Sequence, residues 1–478
     1  MGCLFLRERF SSFINKSCFD EHDDICYSRF LFCTGKSIKK DPRKLYKFIN
    51  FKRKVSSYPS SMLLNNEVIS HPNSICTELA NHFEIVYSSP ITFDPNNFTH
   101  ITQSELTLSS LSLSHYEVIN ALNTIDTNKG AGPDKIAALF LKNTAIALAD
   151  PVLLLFNKSL ATGVFPHAWK LSYLLLIFKS GDRCKIENYR CIAILSLLPK
   201  IFEKLVTPKL FTFCARFINV KQHGFFKGRS TVSNLVDYSN FILGAMDLGH
   251  QVDVIYTDFS KAFDKVDHNL LIFKLGRYGI SGPLLQWIHS YLSNRSQIVK
   301  FGNVCSPRIL VSSGVPQGSH LGPLLFILFI NDVLSLFSGI YYLFYADDLK
   351  LFKSISSLSD AACLQRNCII LSTWCCSNGM ILHTDKCVSI SFSRKRCTIP
   401  FEYTLNSCAL LKKEVVKDLG VWFDTKMSFK YHINYVVSKG RRMLGFIKRR
   451  ASEFDDPYVT KTIFCSLVRS TLEYCHIV

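Results

Sequence analysis

The stretch Leu343-Phe344-Tyr345-Ala346-Asp347-Asp348-Leu349-Lys350-Leu351-Phe352 sets two adjacent carboxylates between two apolar runs. Apolar runs of this length read as two short strands, with the acids at the tight turn between them. Asp favours turns, so a solvated hairpin tip explains the pair. A metal site explains it as well. Hard divalent cations need clustered oxygen anions, and two-metal centres hold their ions about 3.5–4 Å apart. That second reading requires a further carboxylate from elsewhere in the chain.

Val252-Asp253-Val254-Ile255-Tyr256-Thr257 alternates as a strand and runs into Asp258-Phe259-Ser260-Lys261-Ala262-Phe263-Asp264. Asp258 ends the strand and opens a turn or helix, where a metal ligand at a sheet edge belongs. A helix N-cap accounts for one Asp equally well. Between the two acidic stretches lies Ser312-Ser313-Gly314-Val315-Pro316-Gln317-Gly318-Ser319-His320-Leu321-Gly322-Pro323. Its glycines and prolines specify a backbone that something approaches closely. His320 reads as an incidental loop residue.

Upstream, the apolar strand Tyr173–Phe178 is followed by Lys179-Ser180-Gly181-Asp182, then Asn188-Tyr189-Arg190 and Ile192–Leu198. Strand, basic turn and strand predict a hairpin with Lys179 and Arg190 at one end. Cations there can clamp a triphosphate, Arg bidentately; ordinary surface cations look the same. Gln222-His223-Gly224-Phe225-Phe226-Lys227-Gly228-Arg229-Ser230-Thr231 mixes aromatic and basic residues as nucleic-acid loops do, and it also suits the entry to a helix from Thr231 to Leu248. Asn128-Lys129-Gly130-Ala131-Gly132-Pro133-Asp134 lacks the Gly-Lys-Ser/Thr of a P-loop and reads as a turn before a helix over Ile136–Ala149. Ser114 and Glu117 carry a helix-cap signal. Downstream, helices are expected over Ala361–Trp374 and Pro457–Tyr474. Lys386 leads into a strand at Val388–Phe392.

The 478 residues carry 56 basic and 37 acidic side chains, a net charge of +19, which favours a polyanionic partner. The excess is clustered around Lys36–Lys54, at Arg394-Lys395-Arg396, and from Lys439 to Arg450. The last cluster flanks a helical apolar stripe, Ile433, Val436, Val437, Met443, Leu444 and Ile447, as for a helix lying along a nucleic-acid backbone. Arg7, Glu8 and Arg9 interrupt any N-terminal signal core. The 18 cysteines show no paired zinc spacing and read as reduced thiols of a nuclear or cytoplasmic, unsecreted protein. No apolar run is expected to reach membrane-spanning length.

These blocks, in this order, resemble the reverse transcriptase of non-LTR retrotransposons (LINE-type elements), especially the insect jockey group. The carrying residues are Tyr256-Thr257-Asp258-Phe259-Ser260-Lys261-Ala262-Phe263-Asp264, Gly314-Val315-Pro316-Gln317-Gly318-Ser319 and Tyr345-Ala346-Asp347-Asp348. The resemblance spans roughly residues 110–475, and more weakly 40–90. It implies an α+β, right-hand polymerase fold with fingers, a palm built on a small antiparallel sheet, and a partial thumb. The expected organisation is a basic linker or accessory region at 1–100, fingers at 101–215, palm at 216–400 and a thumb-like region at 401–478, with the reverse transcriptase domain over about 155–425.

The resemblance further implies RNA-directed DNA synthesis, with dNTPs added to a primer 3′-hydroxyl by two Mg²⁺ ions, Mn²⁺ being the natural substitute. Asp258, Asp347 and Asp348 would form the metal-binding catalytic triad. Lys386 would protonate the leaving pyrophosphate. Phe263 would be the steric gate against a ribose 2′-hydroxyl. Gly314, Pro316, Gln317 and Gly318 would line the nucleotide pocket, with Tyr345 beside the acids, and Lys179 and Arg190 would grip phosphates. The implied partners are an RNA template and a DNA primer or target, with an endonuclease in an upstream region and no membrane. The chain departs from the pattern at Cys191 and Leu176, where Pro is usual, and at His383, where Asn is usual. With its C-terminal end reading as cut short, it is expected to be a fragment of an element's polyprotein. A catalytically inactive or domesticated RNA-binding remnant is the alternative.

Overall fold

The computed structural model describes residues 21–53, 58–59, 61–64, 67–101, 103–451 and 453–478. Its contacts divide the chain into two compact units. One comprises residues 58–420 with 424–427; the other comprises residues 1–57, 421–423 and 428–478.

The larger unit is mixed helix and sheet. It opens with a short antiparallel pair, β1 (Met62–Leu64) and β2 (Glu67–Ile69). Two larger sheets follow. The first has four strands in the order β4-β3-β6-β7: β3 (Leu171–Phe178), β4 (Tyr189–Leu195), β6 (Arg295–Phe301) and β7 (Val304–Val311). The β3–β4 hairpin forms where strand, basic turn and strand predict it. Its turn is stapled by the Lys179 amide donating to the Asn188 carbonyl at 2.8 Å.

The second sheet contains β5 (Gln251–Thr257), β8 (Tyr341–Tyr345), β9 (Asp348–Ile355), β10 (Val388–Phe392) and, after the small hairpin β11 (Thr404–Leu405) and β12 (Cys408–Ala409), the short β13 (Leu411–Lys412). The order is β13-β10-β5-β9-β8. β5 is central and antiparallel to both neighbours. Its register sets Thr257 opposite Leu349 and Tyr256 opposite both Lys350 and Val388. Continued by one step, the β5–β9 register brings Asp258 level with Asp348. Before Val388 the chain makes a short 3₁₀ turn over Thr384–Lys386, and the His383 amide donates to the Asp258 carbonyl at 2.8 Å. Three distant segments therefore meet at one sheet end. Leu349 and Leu351 of β9 join the main core with the helix Gly322–Ile330, in which Leu324–Ile330 are all buried.

Residues 58–100 are not a linker. The helix Pro72–Glu84 buries Ile75, Cys76, Leu79, Ala80 and Phe83, and these pack with Leu174, Leu176 and Val299 of the four-stranded sheet. The apolar spacing of three and four is helical, and the surrounding Ser and Asn obscured it. The expected helix over 136–149 breaks at Thr144 into Ala138–Asn143 and Ala145–Thr162. The latter is long and apolar enough, by length and composition, to cross a membrane, which corrects the expectation that no such run exists. Val152, Phe156 and Leu160 place it in the main core, with Phe156 stacked on Phe202 at 4.2 Å.

The smaller unit is helical. Helices Glu21–Lys40 and Lys44–Arg53 share a core with Lys430–Ala451 and Pro457–Phe464, built on Ile38, Leu45, Phe48, Ile447, Phe454, Val459 and Ile463. The two ends of the chain thus make one core, where the sequence suggested separate regions. The expected final helix runs from Pro457 to Leu472, widening to π turns over Cys465–Arg469. No disulfide joins the described cysteines.

Candidate active site

The two-residue connection Ala346-Asp347 closes the β8–β9 hairpin, whose last pair is Tyr345 with Asp348. Asp347 therefore sits in the turn and Asp348 begins the strand, a finer placement than the two-acid tip read from sequence. Ala346 adopts φ +58°. Glycine is the default at such a position, and a non-glycine residue there costs about 1–2 kcal/mol. The loop before the next helix holds it. Gln222 pairs with Phe344 as a parallel bridge, the His223 amide donates to the Phe344 carbonyl at 2.9 Å, and the Phe344 amide donates to the Lys221 carbonyl at 3.0 Å.

A cleft of about 540 Å³ opens beside this turn. Its walls include Asp258, Asp347, Lys386, Lys179, Arg190, Phe263, Asp264, Gly314, Pro316 and Gln317. Residues far apart in the sequence thus converge on one space. Gly318, Tyr345 and Asp348 are not among the lining residues. Gly318 instead packs on β4: at φ +117°, a Cβ there would stand 2.6 Å from the Ala193 carbonyl oxygen. Asp348 shares the β9 face with Lys350, whose buried ammonium is paired with Asp418.

The glycine-rich loop is locked to the stretch after Asp258. The Gly314 amide donates to the Val266 carbonyl at 2.7 Å, the Val315 amide to the Phe263 carbonyl at 2.8 Å, and Ser313 Oγ to the Asp264 carbonyl at 2.7 Å. A Cβ on Gly314 would lie 2.7 Å from the Asp264 Cα, so the close approach requires glycine. The Gln317 Nε2 amide donates to both Asp264 carboxylate oxygens, at 2.9 and 3.0 Å. The Phe263 ring stacks on Phe326 at 4.1 Å and meets Phe225 edge-on at 6.0 Å. This ring is rigidly held in the cleft wall.

Electrostatics follow from the crowding of carboxylates. Burial pushes Asp348 up to about 7, helped by Asp347, Asp418 and Asp258 nearby. Burial also raises Asp347, with Asp258 adding to the shift and Arg190 opposing it. Asp264 is pushed up to about 6 by burial, against the Gln317 hydrogen bond and Lys261. The Lys179 ammonium is lowered by burial and by Arg190, Lys261 and Lys386. Acids that resist ionisation and cations that repel one another thus stand close together in and beside the cleft. A divalent cation relieves the first and a polyanion the second.

Among the described residues, no three His, Cys, Asp or Glu side chains converge closely enough to hold a metal alone. Asp258 and Asp347, expected as the direct ligands, line the cleft, and Asp348 adjoins them at the start of β9 rather than completing a closed three-carboxylate cage. Mg²⁺ does not demand one: it is usually held by one or two carboxylates, with substrate phosphates and water completing the octahedron. Asp258 and Asp347 on one cleft, beside a cationic wall suited to phosphates, fit that donor set.

Sequence reading missed several contributors. Phe83, Val86 and Tyr87 wall the cleft from the region taken for a linker. The Tyr87 hydroxyl donates to Gln297 at 2.7 Å, and the Ser88 amide donates to Ser313 Oγ at 2.8 Å. Nothing local to Tyr87 signals this; only the sheet packing of the preceding helix does. Cys191 lies in the cleft, and burial raises its thiol well above the usual range.

Comparison with known proteins adds an independent line. The sequence profile of the family described as "Reverse transcriptase (RNA-dependent DNA polymerase)" matches residues 177–446. The chain is 30% identical over 333 residues to the "Probable RNA-directed DNA polymerase from transposon BS" of Drosophila melanogaster, covering 66% of this chain and 36% of that protein. It is 29% identical over 380 residues to the "RNA-directed DNA polymerase from mobile element jockey" of the same species, covering 76% and 39%. Against the "Retrovirus-related Pol polyprotein from type-1 retrotransposable element R1" of Bradysia coprophila it is 25% identical over 358 residues, covering 70% and 33%. The chain thus spans between a third and two fifths of the length of these relatives.

Proposed function

The chain belongs to the reverse transcriptase (RNA-dependent DNA polymerase) family, and from that premise we propose that it is an RNA-directed DNA polymerase of a LINE-type element, adding dNTPs to a primer 3′-hydroxyl on an RNA template. The observation that carries this reading is the cleft on which Asp258, Asp347, Phe263, Gln317, Lys179 and Arg190 converge from separate elements.

In this reading the five-stranded sheet is the palm, the four-stranded sheet with its β3–β4 hairpin belongs to the fingers, and the helix Lys430–Ala451 belongs to the thumb. Asp258 and Asp347 are the carboxylates that hold divalent metal, with Asp348 tuning their charge from the adjoining strand face. When bound, two Mg²⁺ ions activate the primer hydroxyl and neutralise charge developing on the phosphates.

The protein's own groups do the rest. Lys179 and Arg190 bind the triphosphate, and their mutual repulsion is relieved when the anion enters. Phe263, clamped by Phe326, closes the space where a ribose 2′-hydroxyl would project. Asp264 fixes the Gln317 amide, leaving its Oε1 as an acceptor for the nucleotide. Lys386, paired with Asp258 at 3.2 Å, is the group that holds a proton for the departing pyrophosphate. Template, primer or target DNA, Mn²⁺ as substitute ion, an upstream endonuclease and a nuclear or cytoplasmic site of action belong to the same proposal.

Primer extension on an RNA template with purified chain, dNTPs and Mg²⁺ tests it. Template-dependent incorporation is expected; RNA binding without incorporation at any Mg²⁺ or Mn²⁺ concentration would overturn it in favour of an inactive remnant.

A further inference from the structure

We propose that Gln222 is a positioning residue for the acidic turn, holding Asp347 and Asp348 in place through the backbone of Ala346. The inference rests on the polymerase reading above and assigns a role to a residue outside the cleft lining.

The Gln222 side chain is 2% exposed. Its Oε1 accepts from the Ala346 amide at 3.1 Å and from the Gly224 amide at 2.8 Å. Its Nε2 faces the Ala346 carbonyl at 3.4 Å. One amide group thus meets both polar groups of the residue that carries positive φ, immediately before Asp347. The backbone of the same loop closes on the turn from the other side: a Cβ on Gly224 would stand 2.1 Å from the Ala346 nitrogen.

Side-chain chemistry explains the choice. The turn offers one donor and one acceptor, and the Gln amide supplies the complementary pair at the length required. Glu offers acceptors alone, Asn is a methylene short, and Leu fills the space with no polar partner. Ala346 is itself buried at 6% exposure, so without Gln222 its N–H has no water to turn to. The turn then relaxes away from positive φ, and the carboxylate attached to its next residue moves with it. Positions of metal-binding groups matter to about half an ångström.

A purely structural clamp predicts lower thermal stability alone. A positioning role predicts weaker metal binding as well. The test measures Mn²⁺ affinity by electron paramagnetic resonance and single-nucleotide incorporation on the full chain, with Asp347→Asn as the reference for lost binding. Gln222→Leu is expected to weaken Mn²⁺ binding about tenfold and to slow incorporation by a similar or larger factor. Adding Ala346→Gly is expected to restore most of both, because glycine holds positive φ without the amide.

Native Mn²⁺ affinity in folded Gln222→Leu would overturn the proposal, as would failure of Ala346→Gly to restore any of the loss. Should Gln222→Leu not fold, Gln222→Met reports in its place: it keeps the length and loses both polar contacts, and an unchanged Mn²⁺ affinity in it overturns the proposal equally. A native chain that binds Mn²⁺ through Asp347 yet incorporates nothing would instead overturn the polymerase reading, with the Gln222 arm still read from affinity. A native chain that binds no Mn²⁺ overturns both.

Discussion

The Lys386 ammonium lies 3.2 Å from Asp258 Oδ2, brought there by the short 3₁₀ turn over Thr384–Lys386, whose preceding His383 amide donates to the Asp258 carbonyl at 2.8 Å. Lys386 is largely exposed, at 63% for its side chain, so the pair contributes little to folding. In the proposed function its role is in the chemistry. Lys386→Ala should lower the incorporation rate about a hundredfold, with dNTP KM nearly unchanged. Single-turnover kinetics check this; a native rate would remove Lys386 from the reaction.

Phe263 is held between Phe326 and Phe225, so its ring cannot swing aside for a larger sugar. Phe263→Val should raise rNTP use relative to dNTP by about tenfold or more. Loss of the stack should also cost about 2 kcal/mol of stability. Competitive incorporation and urea unfolding measure the two effects separately. Unchanged sugar selectivity in a folded variant would refute the gate.

Asp264 gives a pH signature. Its carboxyl titrates near 6 in the folded chain against an ordinary value of 3.8. The native state therefore binds the extra proton between those values. This group's contribution to stability is greatest below pH 3.8 and is lost as pH rises through about 6. Function runs the other way, since only the ionised carboxylate accepts the Gln317 amide with both oxygens. The dNTP KM should rise as pH falls below about 6, and Asp264→Asn should flatten that limb. A KM limb that persists in Asp264→Asn would assign it elsewhere.

Beneath the site, Lys274 is fully buried. Its ammonium donates to Asp332 Oδ1 at 2.6 Å and to the Phe329 carbonyl at 2.7 Å, while Trp374 Nε1 donates to Asp332 Oδ2 at 3.1 Å. The Asp332 carboxyl sits below its ordinary value, despite its own burial, because of Lys274 and the hydrogen bonds from His100, Lys274 and Trp374. Lys274→Met strands that carboxylate and should cost about 3–5 kcal/mol. Chemical denaturation of the variant checks this; a loss under 1 kcal/mol would show that the pair is dispensable.

The acids, the glycine-rich loop and the basic hairpin were legible in sequence because each pairs a distinctive residue type with a local pattern. Asp258 closes an alternating strand, and Asp347-Asp348 interrupts an apolar one. What sequence hid was non-local. Tyr87 reaches the cleft because the helix before it, Pro72–Glu84, packs on a sheet formed by residues up to 311. Leu45, Phe48 and Ile49 share a core with Ile447, Phe454, Val459 and Ile463, about four hundred positions away. Gln222 looks like an ordinary loop amide until the hairpin it supports, more than a hundred residues on, is brought beside it. Asp347 occupies the hairpin turn and lines the cleft, whereas Asp348 begins β9 beside it, a distinction that two adjacent acids in a sequence do not carry.

The central claim is that Asp258 and Asp347 serve nucleotide addition on an RNA template. RNA-templated primer extension by the purified chain, set beside Asp347→Asn under identical Mg²⁺ and dNTP, tests it most directly. The account predicts template-dependent extension by the native chain and a loss of about a thousandfold or more in the variant. Extension by Asp347→Asn at the native rate would contradict it.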